Sequence, residues 1–265
     1  MEDRGSALEL IEFKGAEKTF VTAQGPLHAS RDINLTIHDG EFLTLVGPSG
    51  CGKSTLLNLA AGIFPPSSGT VTYRGKNVEG YNRKVGYMTQ NDQLLPWRTV
   101  AGNIAVPLEI AGMTKRAIRD EVDRLTEFVG LAAFKETYPS QLSGGMRKRT
   151  SLARLLAYNP ETLLLDEPFA ALDAQLRLKM QMELRRIASE LNKTVIFVTH
   201  DLDEAVALGD RCAVFSKAPG TIKRIVDIPL PHERDLLQLR KDPTYLQITA
   251  QLWEEMAPDI TASEG

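Results

Sequence analysis

The stretch EFLTLVGPSGCGKSTLLNLAAG, residues 41–62, constrains the fold more than any other. Its first residues are apolar without alternation, as in a strand buried on both faces, and its last residues carry an apolar helical pattern. Between them, Gly47, Pro48, Ser49, Gly50, Cys51, Gly52, Lys53, Ser54 and Thr55 match the phosphate-binding pattern G-x-x-x-x-G-K-[ST] and the residue after it. A loop of this kind turns backbone N–H groups and a helix N-terminus toward an anion, and its glycines let the backbone approach with no Cβ in between. Lys53 then reaches the β- and γ-phosphates of a nucleotide, and the Ser54 hydroxyl ligates Mg²⁺. A plain glycine turn between strand and helix is the competing reading; pattern and flanking context together favour phosphate binding.

Further strand-like runs follow at 84–90 (KVGYMTQ), 162–167 (TLLLDE), 194–200 (TVIFVTH) and 211–216 (RCAVFS), several of them apolar throughout. Helical patterns fall between them. After DEPFAALD, for example, Leu176, Met180, Leu184, Ile187 and Leu191 recur every three or four residues while Arg177, Lys179, Arg185 and Arg186 take the other face. Alternation of strand and helix predicts an α/β fold, a P-loop NTPase core around a mostly parallel sheet. Residues 8–37 and 69–78 read as short alternating strands of a small antiparallel β subdomain, and 91–160 as an inserted α-helical lobe. The expected organisation is one nucleotide-binding domain over 8–228, then a linker and C-terminal helical tail over 229–265 whose apolar residues are Tyr245, Ile248, Leu252, Trp253 and Met256.

Composition narrows the function classes. A net charge of −3 offers no general attraction to nucleic acid, so none is expected as a partner. With two cysteines, one inside the glycine loop, a disulfide framework is not expected and a reducing compartment fits. The charged opening MEDRGSALEL has no apolar stretch of signal-peptide length, and no eighteen consecutive apolar residues occur anywhere. The expectation is a cytosolic chain whose membrane role, if it has one, runs through a partner.

The second half of the nucleotide site falls in TLLLDEP. Asp166, at the end of a buried strand, is placed to hold Mg²⁺ through a water, and Glu167 to polarise a water attacking the γ-phosphate. A lone Asp suits a kinase or a GTPase equally well; two successive acids favour hydrolysis. Another glycine loop, Leu142, Ser143, Gly144, Gly145, Met146, opens a helix and is by the same physics a second anion site.

The order of these motifs resembles the ATPase subunit of ABC transporters, over about Phe20 to Arg211. That family's signature loop usually reads LSGGQ; here Met146 stands in the last place, which leaves the phosphate-facing Ser143, Gly144 and Gly145 unchanged. The resemblance implies that this loop binds the γ-phosphate of the ATP held by the P-loop of a second copy, so that each site needs two chains. It further implies that Gln90 contacts Mg²⁺ or the attacking water, that Asp173 communicates across the dimer, that His200 contacts the γ-phosphate and orients Glu167, and that Phe20 stacks on adenine. The phrases LLPWRTV and YPSQLSGGM are similar to those of importers for nitrate, sulfonate and taurine. The basic run Arg147, Lys148, Arg149 reads as a solvated helix face.

The implied protein is an ATPase using ATP and Mg²⁺ at the cytoplasmic face of the cell membrane, paired with a second copy of itself. It would drive an integral membrane permease, docked near Leu94, Leu95, Pro96 and Trp97, with an extracytoplasmic solute-binding protein as indirect partner. The alternative is a soluble ABC ATPase that remodels nucleic acid or ribosomes, although the chain carries one motif set and no long coiled-coil insertion. An exporter half would normally be fused to a membrane domain, and a small-molecule kinase would leave the signature loop and His200 unexplained.

Overall fold

The computed structural model describes residues 8–261 apart from 171 and 233, with side chains as far as 258; most of the charged opening, 1–7, and the end of the tail, 262–265, lie outside the described residues. The strands are β1 (Glu9–Thr22), β2 (Gly25–His38), β3 (Phe42–Val46), β4 (Ser68–Tyr73), β5 (Lys76–Asn77), β6 (Val85–Met88), β7 (Thr162–Asp166), β8 (Thr194–Val198), β9 (Arg211–Phe215) and β10 (Ile222–Asp227). The helices are α1 (Lys53–Ala60), α2 (Val100–Ile110), α3 (Lys115–Phe128), α4 (Gly144–Tyr158), α5 (Ala174–Glu190), α6 (Leu202–Leu208), α7 (Leu236–Leu239) and α8 (Pro243–Thr261). The chain forms two compact units, one taking the chain up to Asn82 and again from Met182, the other Arg83–Gln181.

In the first unit, β3 is buried at every position and pairs in parallel with β8 on one side and β9 on the other. Burial on both faces explains its unbroken apolar sequence, and each such Leu or Val adds about 1.5–3 kcal/mol. Because Leu45 lies opposite Val198 and Val46 opposite Val214, the loops after β3, β8 and β9 leave from one edge. β10 adds an antiparallel edge strand to β9, an element the sequence patterning did not signal.

The antiparallel strands form a separate sheet in the order β2-β1-β4-β5. β1 and β2 are longer than expected, 14 residues each, and remain paired through register shifts instead of breaking into short strands. At one irregularity Gly15 takes φ +55° and its N–H donates to Asn34 Oδ1 at 2.9 Å, so the bulge keeps its donor satisfied.

One expectation about a helix face needs correcting. Arg185, expected on the other face of α5, is 5% exposed, and its Nη2 donates to Asp210 Oδ1 at 2.7 Å. Its planar head also donates to the Leu208 carbonyl and lies over the Phe42 ring, so the buried face reads Met180, Gln181, Leu184, Arg185, Ala188, while Leu191 is exposed. In α8, Tyr245, Ile248, Leu252 and Met256 are buried on one face, but Trp253, about 100° round the helix from Leu252, is 53% exposed.

In the second unit β6 and β7 pair in parallel, with Met88 opposite Leu165, and α2, α3 and α4 pack on one another. Val100, Ile104 and Leu108 of α2, Val122 and Leu125 of α3, and Leu152 and Leu155 of α4 are buried. The three helices start on hydroxyl caps: Thr99 accepts from Gly102 N, Thr114 from Ala117 N, and Ser143 from Met146 N. Among the described residues, no helix is long and apolar enough to cross a membrane.

Candidate functional site

The glycine loop of the first unit runs from the end of β3 to the start of α1. At Gly47, φ +150°, a Cβ would come within 2.8 Å of Phe215 Cβ; at Gly52, φ +102°, within 2.4 Å of the Ala29 carbonyl oxygen. Glycine is therefore needed at both positions for packing behind the loop and for its backbone conformation. At Gly50, φ +74°, nothing lies within 4 Å of the added Cβ, so there the requirement is conformational alone.

Gly52 caps α1 with no side-chain hydrogen bond, and the helix N-terminus is left to backbone groups, which is the arrangement an anion site uses. Lys53 is 7% exposed and its Nζ donates to the carbonyls of Gly47 at 2.7 Å and Pro48 at 2.8 Å. The ammonium is thus folded across the loop, held by neutral acceptors that leave its positive charge uncompensated by them. Ser49, Gly50 and Ser54 are exposed, Pro48 and Thr55 half-buried, and Cys51 fully buried as a free thiol. This cradle fits the phosphates of a nucleotide.

His200 follows β8 and is exposed at the edge from which the glycine loop departs, with Thr199 N donating to the Leu45 carbonyl at 3.2 Å. The next residue, Asp201, caps α6 by accepting from Glu204 N at 3.1 Å, which fixes the turn that carries the histidine. Phe20, on β1, packs edge-on against Phe64 with centroids 5.3 Å apart, and Lys18 Nζ sits 4.5 Å from the Phe64 centroid. Phe20 is half-buried.

In the second unit β7 ends on Asp166, which is 4% exposed, and Glu167 follows with φ +48°. A glutamate in the left-handed region is uncommon, and strain of this kind costs about 1–3 kcal/mol, a cost accepted here at the turn that aims an acid off a strand end. Gln90 is exposed two residues beyond β6, and the parallel pairing brings Gln90 to the same sheet edge as Asp166 and Glu167. Tyr87 on β6 has its phenol pKa raised by burial and then by the Asp166 charge.

Ser143 is exposed and caps α4, its Oγ accepting from Met146 N at 3.3 Å. That bond uses an oxygen lone pair and leaves the O–H as a donor, beside the N–H groups of Gly144 and Gly145 at the helix N-terminus. Asp173 is exposed and caps α5, accepting from Leu176 N at 3.0 Å.

The basic run after the signature loop is not the solvated face expected of it. Arg147 binds Asp92 at 2.6 Å and the Leu142 carbonyl at 2.8 Å, Arg149 binds the Val129 carbonyl at 2.8 Å, and Lys148 is 7% exposed with Nζ donating to the Gln90 carbonyl. Burial lowers the Lys148 pKa, while Asp92, Asp166 and Glu167 pull in the opposite direction. Three successive cations look solvated in sequence because the carbonyls that bind them carry no sequence signature. Trp97 is 71% exposed, and the turn that presents it is stapled by Asn103, which accepts from Leu95 N at 2.8 Å and donates to the carbonyls of Leu95, Arg98 and Thr99.

The sequence profile of the family described as ABC transporter matches residues 30–170. The chain is 41% identical over 247 residues to the aliphatic sulfonates import ATP-binding protein SsuB of Bacillus licheniformis, covering 93% of this chain and 94% of that one. It is 41% identical over 246 residues to the nitrate import ATP-binding protein NrtD of Synechococcus elongatus, covering 91% and 89%. Among solved structures it is similar, at TM-score 0.78 and 30% identity, to an ATP-binding cassette whose dimeric post-hydrolysis state holds ADP and Pi, covering 84% of this chain and all of that one.

Proposed function

The chain belongs to the ABC transporter family, and from that premise we propose that it is the ATP-hydrolysing subunit of an importer for a small anionic or organic solute of the nitrate, sulfonate or taurine type. The observation that carries this reading is 41% identity across about nine-tenths of both chains to subunits named for sulfonate and nitrate import. It works at the cytoplasmic face of the membrane, as two copies around two Mg·ATP, coupled to a permease that a solute-binding protein feeds. The import subunits SsuB and NrtD favour this reading over the soluble remodelling alternative.

Bound Mg·ATP supplies the phosphoanhydride bond whose cleavage drives transport. Lys53, with the N-terminus of α1 and the glycine-loop amides, binds the phosphates and offsets their charge. Ser54, Asp166 and Gln90 would hold the cation, which would offset phosphate charge during hydrolysis. Glu167 accepts a proton from water at its carboxylate, and His200 orients that carboxylate. Phe20 offers a ring face to adenine. Ser143, Gly144 and Gly145 take the γ-phosphate of the nucleotide held by the other copy, while Asp173 lies on the dimer contact. Nucleotide that touches both chains favours the closed dimer by its differential affinity, and hydrolysis removes that bias.

The test is to solubilise native membranes carrying a tagged Glu167→Gln variant in the presence of Mg·ATP and identify by mass spectrometry what co-purifies. A polytopic membrane protein in near-equal amount is expected. Recovery of ribosomes, DNA or soluble partners alone would overturn the importer reading.

A further inference from the structure

The segment 89–93, which carries Gln90 and leads to the Leu94–Trp97 turn, has every one of its carbonyls held by a side chain. Lys148 Nζ donates to the carbonyls of Gln90 and, at 3.4 Å, of Thr89. Thr89 Oγ1 donates to the Asn91 carbonyl at 2.7 Å. Ser151 Oγ donates to the Asp92 carbonyl at 2.5 Å, and Arg154 donates to the carbonyls of Gln93 at 2.9 Å and Asp92 at 3.3 Å. Arg147 adds an ion pair to the Asp92 carboxylate at 2.6 Å.

Four of these five side chains come from α4, at positions 147, 148, 151 and 154, which is one helical face at i, i+1, i+4 and i+7. The segment itself has no regular hydrogen-bonded structure, and Gln93 takes φ +47° within it. Its conformation is therefore set by α4 and not by a backbone ladder of its own. The N-terminus of the same helix is the signature loop, capped by Ser143.

We propose that Lys148 is a positioning residue for hydrolysis: by holding the Gln90 carbonyl from α4, it locks the Gln90 segment to the helix that carries Ser143. This rests on the reading of the chain as an ATPase in which Gln90 and Ser143 serve nucleotide. Its chemistry is that of a fixed clamp. A long buried cation reaches two adjacent carbonyls, and charge-assisted hydrogen bonds of this kind are stronger and more directional than neutral ones. Displacement of a positioning group by about 1 Å can cost a rate about 10²-fold. Ser151 and Arg154 extend the clamp towards the Leu94–Trp97 turn.

The test compares full-length wild type, Lys148→Met, Lys148→Arg and Arg154→Met. Three readouts are taken: steady-state ATP hydrolysis, equilibrium binding of a fluorescent ATP analogue, and amide hydrogen exchange over 89–97. For Lys148→Met the expected result is a kcat lower by about 10- to 100-fold, analogue affinity and KM within about twofold of wild type, and faster exchange confined to 89–97. Lys148→Arg, which keeps a long cationic donor, should recover most of the rate. Arg154→Met should loosen 91–97 in exchange.

Unchanged kcat and unchanged exchange in Lys148→Met would overturn the clamp, as would a loss that falls on KM alone. Should Lys148→Met not melt cooperatively, exchange in Arg154→Met decides, and wild-type protection over 91–97 would again overturn it. Absence of hydrolysis in the wild type would instead count against the ATPase reading, while the exchange measurement would still report on the clamp.

Discussion

Asp210 gives a stability prediction whose size can be worked from its contacts. Its carboxylate lies within the first unit, with a side chain 7% exposed, against Arg185, 6% exposed, and Arg234, 1% exposed. Oδ1 accepts from Arg185 Nη2 at 2.7 Å and Arg234 Nη2 at 3.3 Å, while Oδ2 accepts from Phe42 N at 2.9 Å, at the first residue of the strand that leads to the glycine loop. Asp210→Asn keeps the shape and an acceptor for Phe42 N but leaves two buried guanidinium groups side by side without their anion. Removing one partner of a buried pair costs about 3–5 kcal/mol. For a chain of this size each kcal/mol moves Tm by about 2–4 °C, so a fall of about 6–20 °C is expected at pH 7 by circular dichroism.

The pH dependence supplies a second constraint. Burial alone would raise the Asp210 pKa, but the hydrogen bond and charge of Arg185, then Phe42 N and Arg234, outweigh it and hold the pKa below its usual range. A depressed folded-state pKa stabilises the fold above the unfolded value of about 3.9, and that contribution is lost as pH falls through the folded value. The gap in Tm between wild type and Asp210→Asn should therefore be full at neutral pH and should close in strong acid. A gap under about 2 °C at pH 7 would refute the reasoning, because it would mean the pair contributes less than about 1 kcal/mol.

Gly52→Ala places a methyl 2.4 Å from the Ala29 carbonyl at φ +102°; we expect a shifted glycine loop, nucleotide affinity reduced at least about 10-fold, and a stability loss of about 1–3 kcal/mol, checked by ATP-analogue titration and thermal melting. Glu167→Gln removes the proposed proton acceptor, and hydrolysis should slow by about 10²- to 10⁴-fold with ATP binding retained; near-normal phosphate release would remove Glu167 from that role.

Much of the fold was legible because its signals are local. The unbroken apolar runs of β3, β7 and β8 mark strands buried on both faces, and the glycine loop carrying Ser143 marks the start of α4. What escaped was set by partners distant in sequence. Arg185 carries the charge of a solvated residue and sits one position from the apolar series, yet Asp210, 25 residues on, makes its burial favourable. Lys148 and Arg154 bind carbonyls about 60 residues away, and carbonyls belong to every residue type alike. β10 lacked a signal because an edge strand with the burial pattern of Lys223, Arg224 and Ile225 does not alternate cleanly. The candidate site could be proposed from the sequence because glycine spacing, paired acids and a helix-opening hydroxyl are chemical requirements of the loops themselves. The φ of +48° at Glu167, by contrast, is a backbone fact that the letter E does not encode.

If, as proposed, the two glycine loops serve two different nucleotides, ATP joins two copies of the chain. The most direct measurement is light scattering of Glu167→Gln with saturating Mg·ATP, alone and combined with Ser143→Arg, alongside ATP-analogue binding to each. A mass of twice the chain is expected for Glu167→Gln, a single-chain mass once Ser143 is replaced, and intact nucleotide binding in both. A Ser143→Arg combination that still dimerises with ATP would contradict the proposal, as would a Glu167→Gln variant that binds ATP and stays monomeric.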